Sequence, residues 1–198
     1  MSITLRRRVI EHISFTPVNM RWKTNVFIDS VHLYLYMDPF QEALHLAIKK
    51  MRIADHMISV TIPVIKDPKL LIGTVENIAE SFKQGLLSIL LYEKEMKTIP
   101  AFDQNNINQM LTIFQHKIVR RFNLPVMYAE KIREAIDLSH WRKKAPVEFS
   151  RKGSYVMCSE KYEIKQLSEK KVKEMVQPLK LFLRDVHKIV MRHERISG

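Results

Sequence analysis

Arg133 and His140 are the residues whose chemistry is easiest to name. An arginine stabilises charge building on a phosphoryl group, and a histidine moves protons near neutral pH. Their spacing is close to two turns of an α-helix, so both side chains would leave one face about 10.5 Å apart along the axis. Such a pair suits cleavage of RNA by its own 2′-hydroxyl, a reaction that requires no metal. The plain alternative is an exposed helix face that happens to carry a histidine.

A second constellation follows directly. His140-Trp141-Arg142-Lys143-Lys144 leads to Arg151-Lys152, and Glu148 is the one acid between residues 140 and 152. The local excess is therefore +4 before histidine is counted: five cations, Arg142, Lys143, Lys144, Arg151 and Lys152, against that acid. Trp141, Phe149 and Tyr155 are interleaved with the cations, so phosphate pairing and base stacking can occur together. Trp141, Arg142, Lys143, Lys144, Arg151 and Lys152 are the candidate nucleic-acid contacts. A solvated helix end, with Trp141 anchoring the next loop, is the structural alternative. A further basic strip, Lys170, Lys171, Lys173, Lys180, Arg184, Lys188, Arg192 and Arg195, has the spacing of the wet side of a helix.

The whole chain agrees with that bias. Its 198 residues carry 33 Lys and Arg against 21 Asp and Glu, a net charge of +12. A field of that sign draws polyanions and speeds their encounter, so RNA or a ribonucleoprotein is the expected partner. Other chemistries find little support. Only 4 glycines are present, and neither GxGxxG nor GxxxxGK[ST] occurs, so the common nucleotide cradles are missing. The eight histidines form no HExxH, and the single cysteine, Cys158, makes neither an internal disulfide nor a Cys-rich zinc site. Cys158 is expected to be a packing residue, and His187 and His193 to add charge at a helix end. No metal, small-molecule cofactor or membrane partner is expected. Apolar runs fall far short of the roughly 20 residues of a membrane span, and a lone cysteine fits the cytoplasm.

The elements that must position these residues are helices. Asp38-Pro39-Phe40-Gln41 supplies an N-cap, a proline at the first helical position and a glutamine at N3. Phe40, Ala43, Leu44, Ala47, Ile48, Met51, Ala54 and Ile58 then keep helical spacing, and Pro63 is expected to end the helix. Asp67-Pro68 repeats the cap, and Leu71, Val75, Ile78, Phe82, Leu86 and Ile89 mark a helix of about 28 residues. Asp103 is expected to cap a third helix through Ile107, Met110, Leu111, Phe114, Ile118 and Phe122, ended by Asn123-Leu124-Pro125. A fourth runs from Val126 to Lys144 with Ile132, Ala135, Ile136 and Leu138 inward and Pro146 beyond it. Between Pro146 and Ser168 the period changes to partial alternation, which predicts a small β-hairpin of Tyr155–Cys158 with Tyr162–Leu167, or an extended flap. Ser168 caps a last helix, which Pro178 should kink. The fold class is all-α: an up-and-down bundle of four to five helices with a β-hairpin inserted before the last. Residues 37–198 form this domain, and residues 1–36 are expected to be an appendage, either a β-hairpin or an arm.

Here the chain resembles the HEPN superfamily, in particular archaeal HEPN-like helical proteins. The resemblance rests on Asp38-Pro39-Phe40, on Lys66-Asp67-Pro68-Lys69-Leu70-Leu71, on Arg133-x6-His140 and on the run from Lys143 to Lys152. It covers about residues 38–195. It implies a helical bundle, often a homodimer, in which Arg133 and His140 would be the catalytic pair of a metal-independent endoribonuclease, completed by the same pair from a second subunit. Other members of that superfamily are non-catalytic. The alternative function is a protein-interaction or dimerisation module without enzymatic activity.

Overall fold

The computed structural model describes residues 38–151 and 153–191. The expected N-terminal appendage, Lys152, Arg192, His193 and Arg195 lie outside the described residues. Within them, α1 (Pro39–His56) runs through a π-helical turn (Met57–Thr61) into a short α2 (Ile62–Ile65). The long α3 (Leu70–Glu95) follows. Next come α4 (Ile107–Ile113), a second π turn (Phe114–Val119), α5 (Arg120–Phe122) and α6 (Met127–Lys143). Strands β1 (Val147–Arg151), β2 (Ser154–Cys158) and β3 (Ile164–Leu167) precede the last helix, α7 (Glu169–Val190). The described residues thus form five helical rods and an antiparallel sheet of order β1-β2-β3. The all-α expectation needs that correction: the insertion is a three-stranded sheet, one strand more than the expected hairpin.

The helix starts follow the sequence logic at α1 and α7 and shift at the second and third rods. The Asp38 amide donates to Gln41 Oε1 at 3.1 Å in a capping box. Ser168 Oγ accepts from the Lys171 amide at 3.3 Å on α7, whereas Asp67 Oδ1 accepts from the Lys69 amide at 2.9 Å in the turn ahead of α3, whose N-cap is Lys69 rather than the expected Asp67. The third rod is capped by Asn106, which accepts from the Gln109 amide at 3.0 Å. Asp103 instead accepts from the Asn105 amide within the loop.

Pro63 does not end the first rod; it lies in the first turn of α2. A proline ring collides with the carbonyl four residues back in a regular helix. The widened turn just before it, where the Ile62 amide reaches back to the Met57 carbonyl, relieves that crowding. The rod stops at Lys66, whose φ of 58° is left-handed.

α1 and α3 pack with a fixed register. Ser81 Oγ, fully buried on α3, donates to the Ala47 carbonyl at 2.7 Å, and Ser88 Oγ donates to the Phe40 carbonyl at 2.8 Å. α7 is inserted against α1, α3 and α6 and meets the second π turn at Phe114. Its Phe182 ring lies 5.6 Å from Phe82, 6.0 Å from Phe114 and 5.4 Å from Tyr128, the last two edge-on. Edge-to-face rings align a positive rim with a negative face, which adds to the area they bury. Nine apolar α7 positions between Val172 and Val190 are buried, Leu181 is half-buried, and the helix continues through Pro178. Gly85 of α3 faces this helix: a β-carbon there would lie 2.7 Å from Leu183 Cδ2 and 2.8 Å from Phe182 Cε1.

Only one side of the sheet joins the core. Tyr155, Met157 and Leu167 face the helices and are buried. Register pairs Phe149 with Val156 and Val156 with Gln166, and one step on, Val147 with Cys158 and Cys158 with Ile164. Residues directly opposite share a face. Val147, Phe149, Arg151, Val156, Cys158, Ile164 and Gln166 therefore form the outward side.

Candidate nucleic-acid interface

Helix α6 carries most of the predicted site residues. Its inward side is Tyr128, Ala129, Ile132, Ala135, Ile136 and Leu138, all buried. That leaves Glu130, Arg133, Asp137, His140 and Lys144 as the outward stripe, each exposed. Arg133 and His140 accordingly project from one side, with Asp137 between them. Neither makes a hydrogen bond or ion pair with another described residue. They line neither of two shallow depressions beside α6. One of these runs against α7 past Lys131, Glu134 and Lys171, and the other runs against β3 past Glu134, Asp137 and Lys165.

The basic run after His140 divides into two groups with different environments. Arg142 is held internally: one guanidinium nitrogen is 2.7 Å from Glu76 Oε1 on α3, and Nε is 3.5 Å from Glu148 Oε1 on β1. The other Glu148 oxygen accepts from the Tyr155 hydroxyl on β2. The hydrogen bond to Glu76, followed by the charges of Glu76 and Glu148, holds Arg142 above its ordinary pKa. Burial, reinforced by Glu148, pushes the Tyr155 phenol up to about 12. This chain of contacts ties α3, α6, β1 and β2 together, so Arg142 docks the sheet on the bundle. Trp141 is likewise occupied. Its ring is half-buried against the core, with Lys165 Nζ 5.1 Å from its centroid.

Lys143, Lys144 and Arg151 are different. All three are exposed and without an ion pair among the described residues, at the end of α6 and the end of β1. The end of a helix concentrates negative partial charge, a favourable setting for Lys143 and Lys144. On α7 the basic strip is partly neutralised: Lys173 pairs with Glu169 at 2.5 Å, Lys180 with Asp55 at 2.7 Å and Arg184 with Asp185 at 3.3 Å. His187 is half-buried, and burial lowers its pKa, so it is not the charged helix-end group expected from sequence.

Sequence reasoning missed β1, and with it the presentation of Phe149. The alternation Val147-Glu148-Phe149-Ser150 was the available signal, but every β1 residue is exposed, so no buried face reinforced it. Tyr162, 87% exposed in the β2–β3 turn, was also missed as a surface aromatic. Cys158 is half-buried on β2. Among the described residues no cluster of three or more His, Cys, Asp or Glu is placed to hold a metal ion, and no helix is long and apolar enough to cross a membrane. Set against family models, curated proteins and solved structures, the chain matches none of them.

Proposed function

We propose that this chain binds RNA, alone or within a ribonucleoprotein, through the surface where α6 ends and β1 begins. The observation that carries this reading is the contrast among the clustered cations. Arg142 is committed to two carboxylates, whereas Lys143, Lys144 and Arg151 stand in solvent with no ion-pair partner among the described residues to lose on meeting phosphate. A net charge of +12 adds long-range attraction. Binding of a fluorescent RNA that weakens steeply between 50 and 200 mM salt tests it; weak binding unaffected by salt refutes it.

The resemblance to HEPN-type endoribonucleases adds a catalytic extension. His140 would take the proton of the RNA 2′-hydroxyl as that oxygen attacks phosphorus, and Arg133 would stabilise the charge on the phosphoryl oxygens. The departing 5′-oxygen also needs a proton, which His140 of a second copy would deliver; the products are a 2′,3′-cyclic phosphate and a free 5′-hydroxyl. Support comes from the exposed, unpaired state of both side chains on one stripe of α6. Loss of cleavage in both Arg133→Ala and His140→Ala, with folding intact, is the expected result; cleavage surviving either change refutes it.

A protein-interaction role is the second reading. It is favoured by the partly exposed Val147, Phe149 and Ile164 on the sheet.

A further inference from the structure

We propose that the outward face of the three-stranded sheet is a stacking platform for unpaired RNA bases, centred on Phe149 and bordered by Tyr162. This rests on the RNA-binding reading and names the form of RNA it takes: single strands.

Phe149 is 42% exposed on the outward side, in the same row as Val156 and Gln166. Val147 and Ile164, 53% and 67% exposed, occupy the next row on either side of Cys158. The floor of this patch is closed: Val156 is 6% exposed although it faces away from the helical core. Of the three aromatics interleaved with the cations in sequence, Trp141 lies under Lys165 and Tyr155 is buried against Glu148. Phe149 alone of these offers a ring to a ligand. A base presents a π-face whatever its identity, so an aromatic on a sheet surface accepts any base that is not already paired.

Tyr162 adds a second exposed ring, 87% exposed. It sits in the turn closed by hydrogen bonds from the Ser159 amide to the Glu163 carbonyl and from the Tyr162 amide to the Ser159 carbonyl, both 3.0 Å. Its φ is 61°, left-handed backbone that glycine or asparagine adopts at lower cost. A bulky residue in that conformation, nearly all of it in solvent, gains nothing from packing in return. The three-residue loop Glu160-Lys161-Tyr162 requires that left-handed position at its last residue, and it holds the ring out in solvent.

Charge decides the occupant. Lys143 and Lys144 end α6 just ahead of the Val147 end of β1, and Arg151 closes β1 at the other. Five residues of antiparallel strand separate these ends by roughly 14 Å, a span for a few nucleotides. Glu148 faces inward in its bond to Arg142 and Tyr155, while Glu160 and Glu163 are confined to the turn around Tyr162. A short apolar strip with cations at both ends fits an extended polyanion better than a protein.

The test compares a single-stranded RNA of mixed sequence with its duplex, by fluorescence anisotropy, on the full chain and on Phe149→Ala/Tyr162→Asn. Asparagine keeps the left-handed turn, and both positions are at the surface, so circular dichroism should be unchanged. The wild type is expected to prefer the single strand. The variant should lose between about 5- and 150-fold per stacked base for the single strand, with duplex binding and salt dependence unaltered. Phe149→Tyr should retain the preference. RNA binding with the single-strand preference intact in the variant overturns the platform and leaves the RNA reading standing. No binding of either RNA overturns both. A dimer by sedimentation that Phe149→Ala dissociates, with RNA affinity unchanged, assigns the face to a second copy and also overturns the platform.

Discussion

Replacing Lys143, Lys144 and Arg151 together with alanine separates cations that meet phosphate from the one that holds the sheet. Each phosphate contact on single-stranded RNA contributes about −0.7 to the slope of log affinity against log salt concentration. Removing three should flatten that slope by roughly 2. Between 50 and 200 mM salt, a fourfold change, the wild type should then lose about 18 times more affinity than the variant. At the lower salt the variant is accordingly the weaker binder, and the two converge as salt rises. Arg142→Ala should behave otherwise, because its guanidinium is already 2.7 Å from Glu76 and 3.5 Å from Glu148. Its loss frees two carboxylates and loosens β1 and β2 from α3, so the slope stays near wild type while thermal stability falls by about 1 kcal/mol or less, the range of a half-exposed pair. Anisotropy titrations at four salt concentrations, with melts of each variant, give both quantities. A slope unchanged in the triple variant, or flattened by Arg142→Ala alone, would refute the division of roles.

The packing and titration arguments yield further expectations. Gly85→Ala should destabilise by about 1–2 kcal/mol: crowding against Leu183 and Phe182 at 2.7 and 2.8 Å outweighs the ~1 kcal/mol that alanine gains in a helix. A lower urea midpoint at constant m-value is the readout, and a higher midpoint would contradict the close approach of α7. Arg121→Met should cost about 2 kcal/mol, because it removes the 3.1 Å partner of Glu93, a carboxylate only 1% exposed, and leaves it the Thr98 hydroxyl at 2.5 Å. Glu93→Gln should be milder, as measured by chemical denaturation. Stability should be full above pH 6.5 and decline below it. His45, through partial desolvation on the exposed side of α1 and then the charges of Arg52 and Lys49, and His187, through burial, both have lowered pKa values, so the unfolded chain takes up protons first as pH falls. Melting at pH 7.5 and 5.5 should show a drop that His45→Gln/His187→Gln reduces; an unchanged drop would contradict the assignment.

The helical part of this fold is legible because its signals are local. Proline after aspartate, serine before a charged turn and apolar side chains at three-and-four spacing act within one or two turns, and Leu71, Val75, Ile78, Phe82, Leu86 and Ile89 are all buried as their spacing requires. The two π turns are not legible, since one extra residue per turn leaves the composition of the helix unchanged. β1 was hidden for another reason: it is an edge strand with no buried side chain, and it takes its place from pairing with β2 rather than from its own pattern. At the site, sequence identified a cationic cluster but treated its members alike. Arg142 and Trp141 are engaged by Glu76, Glu148 and Lys165, residues up to 66 positions away, and such distant partners leave no trace in spacing.

The two serine bridges between α1 and α3 bear on where this chain can change length. Positions 47 with 81 and 40 with 88 satisfy one antiparallel alignment. A residue inserted in the connection at 66–69 leaves both bridges standing, because the loop absorbs it. One inserted between 41 and 46, or between 82 and 87, turns one half of a helix by about 100° and strands a buried hydroxyl while the other bridge holds. Natural insertions and deletions in this hairpin should therefore collect at its bend, leaving two stretches of invariant length on either side.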